Sequence, residues 1–154
     1  MEDIKAIKVY ALENMVIGVM FSNGEFKKYD LEPLCKKWPV FNTLKDIKLF
    51  KKAKVDVGGY GIVWNDEIDI AMEEVYANGV AWENAPLADY AIFNIVAQFR
   101  KLRHQKGITQ YDLAEKTGIK QSNIARMESG GRLPNITTLI KLGNALGYTL
   151  HWGK

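Results

Sequence analysis

The spacing of apolar positions changes period part-way along the chain. Up to about residue 31 it is the spacing of strands. Ile4 to Tyr10 alternates imperfectly, Met15 to Phe21 is a short apolar run, and Glu25 to Leu31 leads back as its partner. Ser22-Asn23-Gly24 separates the last two, and Asn-Gly tolerates positive φ at both central positions of a tight hairpin. These segments predict an antiparallel meander. From Glu32 to Phe50, Pro33 and Pro39 punctuate the chain, and Phe41, Leu44, Ile47 and Phe50 recur at three-residue spacing, as in one or two short helical turns. Val55 to Val57 and Ile62 to Trp64 flank Gly58-Gly59-Tyr60-Gly61, a strand with a turn or bulge at the glycines. Ile70, Ala71, Val75 and Tyr76 face inward on a short helix ending near Asn78-Gly79. Val80 to Ala88, with Pro86, reads as a linker.

Beyond Ala88 the period becomes helical. Ala91, Ile92, Ile95, Val96, Phe99, Leu102 and Arg103 form one stripe along a helix of about four turns, stopped by Gly107. Thr109 then caps a second helix, with Asp112 three residues on as a short capping box. Leu113 and the small Ala114 lie on its inner face. Gly118 in Thr117-Gly118-Ile119 can take the left-handed conformation that ends a helix. Lys120 to Ser129 makes a third helix, with Ile124 and Met127 facing in and Gly130-Gly131 as the stop. Pro134 precedes a last helix carrying Ile136, Leu139, Ile140, Leu142, Ala145 and Leu146. Two short helices joined by a three-residue glycine turn meet the requirement of a helix-turn-helix. Any small bundle could share that outline. Here, however, the outward positions on the Lys120–Ser129 helix are Lys120, Gln121, Ser122, Asn123 and Arg126, all polar donors. Gln can bond adenine N6 and N7 together, and Arg can bond guanine O6 and N7.

Charge sharpens the division into halves. Residues 1–80 hold 11 Lys and Arg against 13 Asp and Glu, a balance of −2. Residues 81–154 hold 10 against 5, a balance of +5, and all of that excess lies between Arg100 and Arg132. Such a separation suggests that one half meets a polyanion. The chain has 154 residues, of which 47% are hydrophobic and 25% charged, as expected of a folded protein of one ordinary or two small domains. No run approaches the roughly 18 apolar residues of a membrane span. The start, Met-Glu-Asp-Ile-Lys, has acids where a signal peptide would be basic. Cys35 is the only cysteine, which excludes an intrachain disulfide and reads as a small half-buried loop residue. These features predict a cytoplasmic protein that does not engage a membrane.

The pattern Thr109-Gln110-x-x-Leu113-Ala114-x-x-x-Gly118-Ile119-x-Gln121-Ser122-x-Ile124-x-Arg126-x-Glu128-x-Gly130, followed by Pro134, Thr138-Leu139 and Ala145-Leu146-Gly147, resembles the phage repressor family. This is the Cro/CI, xenobiotic-response-element type of helix-turn-helix. The resemblance covers about 65 residues. It implies that Lys120, Gln121, Ser122 and Arg126 read bases, and that Thr109, Gln110, Asn123 and Arg132 position the domain or touch phosphate. Glu128 matches the family's structural acid, while Ala125 and Gly131 depart from residues that are commonly polar and basic. More loosely, the first half resembles a family of small bacterial α+β domains of unknown function. The shared residues are Phe21-Ser22-Asn23-Gly24-Glu25, Asp30-Leu31-x-Pro33-Leu34, Pro39-Val40-Phe41-x-x-Leu44 and Gly61 to Asp69. The prediction is an α+β chain. A small antiparallel-sheet domain with short helices spans residues 1–80, and an all-α, lambda-repressor-like domain spans residues 86–150.

Catalysis finds little support. Asp66, Glu67 and Asp69 could hold a divalent cation, but a solvated turn is the simpler reading because no further ligand pattern accompanies them. His104 and His151 are not paired at metal-ligand spacing, and no nucleophile motif is present. Trp38, Trp64 and Trp82 read as core or interface residues. No enzyme activity, metal or cofactor is expected. The partners implied are double-stranded DNA, read as a homodimer by a transcriptional regulator, most simply a repressor. The alternative is an antitoxin-like module that neutralises a toxin-like protein through residues 1–80 and represses its own operon.

Overall fold

The computed structural model describes residues 3–149 and 151. Leu150, the last residue of the expected helix-turn-helix domain, lies outside them. The chain forms two compact units, Met1–Ala85 and Pro86–Lys154.

The first unit contains two small antiparallel sheets. β1 (Ala6–Ala11), β2 (Val16–Phe21) and β3 (Phe26–Asp30) form the predicted meander. β4 (Lys54–Val55), β5 (Gly61–Val63) and β6 (Asp69–Ala71) form the second sheet. α1 (Glu32–Lys37), a 3-10 turn (Pro39–Lys45), α2 (Ile47–Phe50) and α3 (Met72–Asn78) complete the unit. Ile17, Val19 and Phe21 of β2 point into a core shared with Leu31, Leu44, Phe50, Ile62 and Val75. Trp64 is buried in that core and donates its indole N–H to the Phe50 carbonyl at 3.1 Å.

Local geometry departs from expectation at five places. Four residues, Ser22 to Glu25, lie between β2 and β3. Gly24 alone has positive φ (90°), and Phe21 N–H closes the loop on the Glu25 carbonyl at 2.9 Å. Ser22 is held in the loop because its hydroxyl accepts the Lys5 N–H, which leaves a two-residue turn no register. Met15 is not a strand residue: Asn14 (φ 55°) and Met15 (φ 61°) form the tight turn that joins β1 to β2. Ile70 and Ala71 belong to β6, with Ile70 opposite Ile62, so the helix begins only at Met72. Cys35 lies in α1 and is buried.

The fifth departure concerns the expected linker. Val80–Ala81 is a strand, β7, paired with Lys27 and Lys28 of β3. The Trp82 N–H continues the ladder to the Phe26 carbonyl at 3.0 Å. Its ring meets Tyr10 and Phe26 edge-on, with centroids 5.4 and 6.3 Å away. Gly18 makes that contact possible, since a Cβ there would stand 2.3 Å from a Trp82 ring carbon.

The second unit is helical: α4 (Leu87–Gln105), α5 (Gln110–Thr117), α6 (Gln121–Glu128) and α7 (Ile136–Ala145). Val96, Leu113, Ile124, Met127, Leu139, Leu142 and Leu146 form its core. Ile136 and Ile140 are exposed on α7. The architecture is α+β in sequence order, sheet unit first and helices second.

Gly18→Ala should cost about 1–3 kcal/mol through overpacking. Adding Trp82→Ala should cost less than the sum of the two single changes, because the clashing ring is gone. Denaturant unfolding of the full chain checks this, and strictly additive losses would count against the contact.

Candidate nucleic-acid interface

Each turn between α4 and α7 has a local cause. Gly107 (φ 65°) ends α4, and the Ile108 N–H returns to the Arg103 carbonyl. Thr109 caps α5 through the predicted capping box: its hydroxyl accepts the Asp112 N–H at 3.0 Å, and its own N–H donates to Asp112 at 2.8 Å. Bonds from Thr109 to the Asp112 carboxyl, the backbone N–H first and the hydroxyl second, hold it below the usual range. Gly118 stops α5 at φ 72°. Lys120 is the N-cap of α6 but supplies no side-chain cap. Gly130 (φ 84°) ends α6, and Arg132 folds back with its N–H on the Arg126 carbonyl at 3.2 Å.

The predicted site residues fall into three groups. Lys120, Ser122 and Arg126 are exposed, with Ser122 and Arg126 one turn apart on the same face of α6. Asn123 and Arg132 line a cavity of about 260 Å³ beside the amino end of α7, where Asn135 caps the helix by accepting the Thr138 N–H at 2.9 Å. Thr109, Gln110 and Gln121 are tied into the protein. The Thr109 hydroxyl serves the capping box, and the two glutamines are half-buried and bonded to each other.

Behind the glutamines lies a buried ion pair. Arg103 of α4 donates from Nε to Glu128 Oε1 at 2.7 Å and from Nη2 to Oε2 at 2.8 Å. Both side chains are only 7% exposed. The third guanidinium nitrogen, Nη1, donates to the Ile108 carbonyl at 2.8 Å, so the turn after α4 is pinned to the same group. Glu128 Oε2 also accepts from Gln110 Nε2 at 2.8 Å, and Gln110 Oε1 accepts from Gln121 Nε2 at 2.8 Å. Four side chains thus link α4, the end of α6, the start of α5 and the start of α6. Burial by itself would push the Glu128 carboxyl up, but hydrogen bonds from Arg103 and Gln110, with the charges of Arg103 and Arg100, hold it below the usual range. The Glu128 bond likewise raises Arg103 against the opposing effect of burial.

The amide arithmetic determines what Gln121 can offer a ligand. Its NH2 has two hydrogens, one of which is committed to Gln110. One N–H and the carbonyl oxygen remain, a donor beside an acceptor. Adenine presents the complementary pair in the major groove.

Residues 99–153 match the family model described as Helix-turn-helix. The second unit is a Cro/CI-type helix-turn-helix domain. Residues 6–81 match the model for Protein of unknown function (DUF2442), so the helix-turn-helix domain here follows a DUF2442 domain. Among curated proteins, the chain is 37% identical over 51 residues to an uncharacterized HTH-type transcriptional regulator of Sinorhizobium fredii, matching 33% of this chain and 66% of that one. It is 48% identical over 48 residues to another from Haemophilus influenzae, matching 31% of this chain and 49% of that one. The chain therefore spans about half to two thirds of the length of these relatives. A solved structure of a candidate DNA-binding protein from Nitrosomonas europaea aligns over 91% of this chain and 84% of its own, with a TM-score of 0.43 and 18% identity. A toxin-antitoxin module from Streptococcus pneumoniae aligns over 58% of this chain and 99% of its own, with a TM-score of 0.40 and 31% identity.

Sequence reasoning placed Arg103 on the inner stripe of α4 without assigning it a partner. A usable signal was present, since an arginine at a core-facing position requires a buried acceptor. Glu128, two positions before the glycine stop on the helix packed against α4, could have supplied it. Elsewhere, Asp66, Glu67 and Asp69 form no metal-binding group: among the described residues, no cluster of three or more His, Cys, Asp or Glu is placed to hold an ion. No helix among those residues is long and apolar enough to cross a membrane.

Removing one partner of the ion pair should destabilise the helix-turn-helix domain strongly. Arg103→Met alone should cost about 3–5 kcal/mol, whereas Arg103→Met with Glu128→Leu should be close to neutral at pH 7. The sign of the pH dependence follows from the depressed Glu128 carboxyl. Its contribution is fully present above the unfolded value of about 4.3 and is lost as pH falls through the folded value. Melting curves at pH 7 and pH 3 should show a smaller acid loss in the double variant than in the natural protein. An equal loss would mean that other groups carry the acid sensitivity.

Proposed function

We propose that this chain is a cytoplasmic, sequence-specific transcriptional regulator, acting as a repressor, that lays α6 in the major groove of a short operator as a homodimer. The observation that carries the reading is the outward face of α6. Gln121 keeps a free donor-acceptor edge, Lys120, Ser122 and Arg126 stand exposed beside it, and the buried ion pair supports the helix from behind. The basic excess between Arg100 and Arg132 supports binding to the DNA backbone. Asn123 and Arg132, gathered at the amino end of α7, fit phosphate contacts. Dimerisation follows from affinity. Non-specific binding has a Kd of only about 10⁻⁴–10⁻⁶ M, and pairing two half-sites is the usual route to specificity.

Selection of bound DNA from a random library by the full-length protein, with the mass of the complex measured, tests this reading. A palindromic site bound by two copies is the expected result, and an absence of sequence enrichment would refute it. Gln121→Ala and Arg126→Ala should each lose about 1–3 kcal/mol of specific binding and relax preference at one base pair. Arg132→Ala should instead weaken binding to all sequences and lower the salt slope by about one.

One observation favours a second role, protein capture by the DUF2442 domain as in the antitoxin-like reading. A groove of about 400 Å³ opens beside Trp38 (47% exposed), Val40 and Phe41, with Glu67, Asp69 and Glu74 at its margin and the Lys37 ammonium 4.3 Å from the Trp38 ring centroid. An exposed aromatic ring beside apolar and acidic side chains suits a basic segment of another protein. Purification of the full chain from its own host should yield a stoichiometric partner that Trp38→Ala releases. Recovery of the chain alone, with operator binding intact, would confine it to the DNA-binding role.

A further inference from the structure

We propose that Glu128 is a positioning residue for base recognition: from the far end of α6 it determines which way round Gln121 presents its amide, and hence which base the helix prefers. The inference rests on the reading of Gln121 as a base reader given above.

Hydrogen-bond polarity links the two residues. A carboxylate can only accept, and Arg103 fixes this one with two donated bonds at 2.7 and 2.8 Å. Gln110 must therefore turn its NH2 toward Glu128, as it does at 2.8 Å. That leaves the Gln110 carbonyl oxygen facing Gln121. A carbonyl also only accepts, so Gln121 must turn its own NH2 inward, again at 2.8 Å. A glutamine side chain alone has no such preference, because rotating its amide by half a turn exchanges N and O at almost equal energy. Two neutral links carry the acceptor character of one buried charge from residue 128 to residue 121.

The consequence lies on the outer edge of the amide. With NH2 directed inward, Gln121 shows oxygen and N–H in one order along the groove, and the opposite rotamer reverses it. Adenine offers N7 as acceptor and N6–H as donor in a fixed order, so from a given Cγ position only one rotamer makes both bonds. Two features let the relay persist. Glu128 is 7% exposed, which limits competition from water, and Ala125 is too short to contribute a polar atom of its own between Gln121 and Glu128.

Glu128→Gln tests the proposal because it keeps the shape and removes the obligation to accept. Binding of the full-length variant is compared on the selected operator and on a version changed only at the base pair read by Gln121. The natural protein should prefer the former by about tenfold or more. Glu128→Gln should lower that ratio to within about twofold, whereas Leu113→Ala, which damages the core, should weaken both sites equally and keep the ratio. Glu128→Gln combined with Gln110→Glu moves the obligatory acceptor next to Gln121, and the ratio should recover. A folded Glu128→Gln protein that keeps the natural ratio would overturn the proposal. If that variant does not fold, a folded double variant with a relaxed ratio would overturn it as well. Failure of the underlying reading looks different, because Gln121→Ala would then leave the base preference of the natural protein unchanged.

Discussion

The helix-turn-helix domain depends on the Arg103–Glu128 ion pair, and its energetics explain why. Moving a guanidinium and a carboxylate out of water is expensive, and their attraction offsets that only when geometry is good and the remaining lone pairs and protons are satisfied. Both conditions hold here. Every guanidinium nitrogen has an acceptor, and both carboxylate oxygens have donors. A leucine and methionine in the same space could match the stability. What they could not supply is direction: the charge orders the amides around it and joins the end of α6 to α4 and to the Ile108 turn.

The DUF2442 domain reaches its stability differently. Its sheets are small, and its core is apolar apart from ring nitrogens and hydroxyls near the margin, such as the Trp64 indole on the Phe50 carbonyl. Its last strand is only two residues long, and the aromatic side chain that follows does much of the holding. Trp82 covers the one position in β2 that lacks a Cβ, so a strand with almost no ladder is still anchored.

Legibility in the sequence tracked the range of the interaction responsible. The helix ends at Gly107 and Gly118, the Thr109 capping box and the inward Leu113, Ile124 and Met127 depend on neighbours within one or two turns, and all could be read directly. The β1–β2–β3 meander was readable for the same reason. What failed involved distant partners. Val80–Ala81 looks like a linker because its pairing partner is more than fifty residues earlier. Met15 looks like strand because an apolar residue at positive φ is set by its turn and not by its type. At the interface, the polar identity of Gln110 and Gln121 was legible, but their bonds inward were not. Those bonds depend on an arginine in a different helix whose charge disappears into an apolar stripe.

If α6 reads an operator as proposed, the polarity of that buried chain limits how the helix can be recoded for a new one. Position 121 faces an oxygen that cannot donate, so it admits side chains that bring a hydrogen and penalises those that bring only lone pairs. A carboxylate there, the group that would suit cytosine, meets an acceptor and forces a conflict back to Glu128. Ser122 and Arg126 lie outside the chain of amides and carry no such restriction. On the proposed reading, diversification of α6 is therefore asymmetric: positions 122 and 126 are open to most chemistries, and position 121 is confined to donors unless residue 128 changes with it.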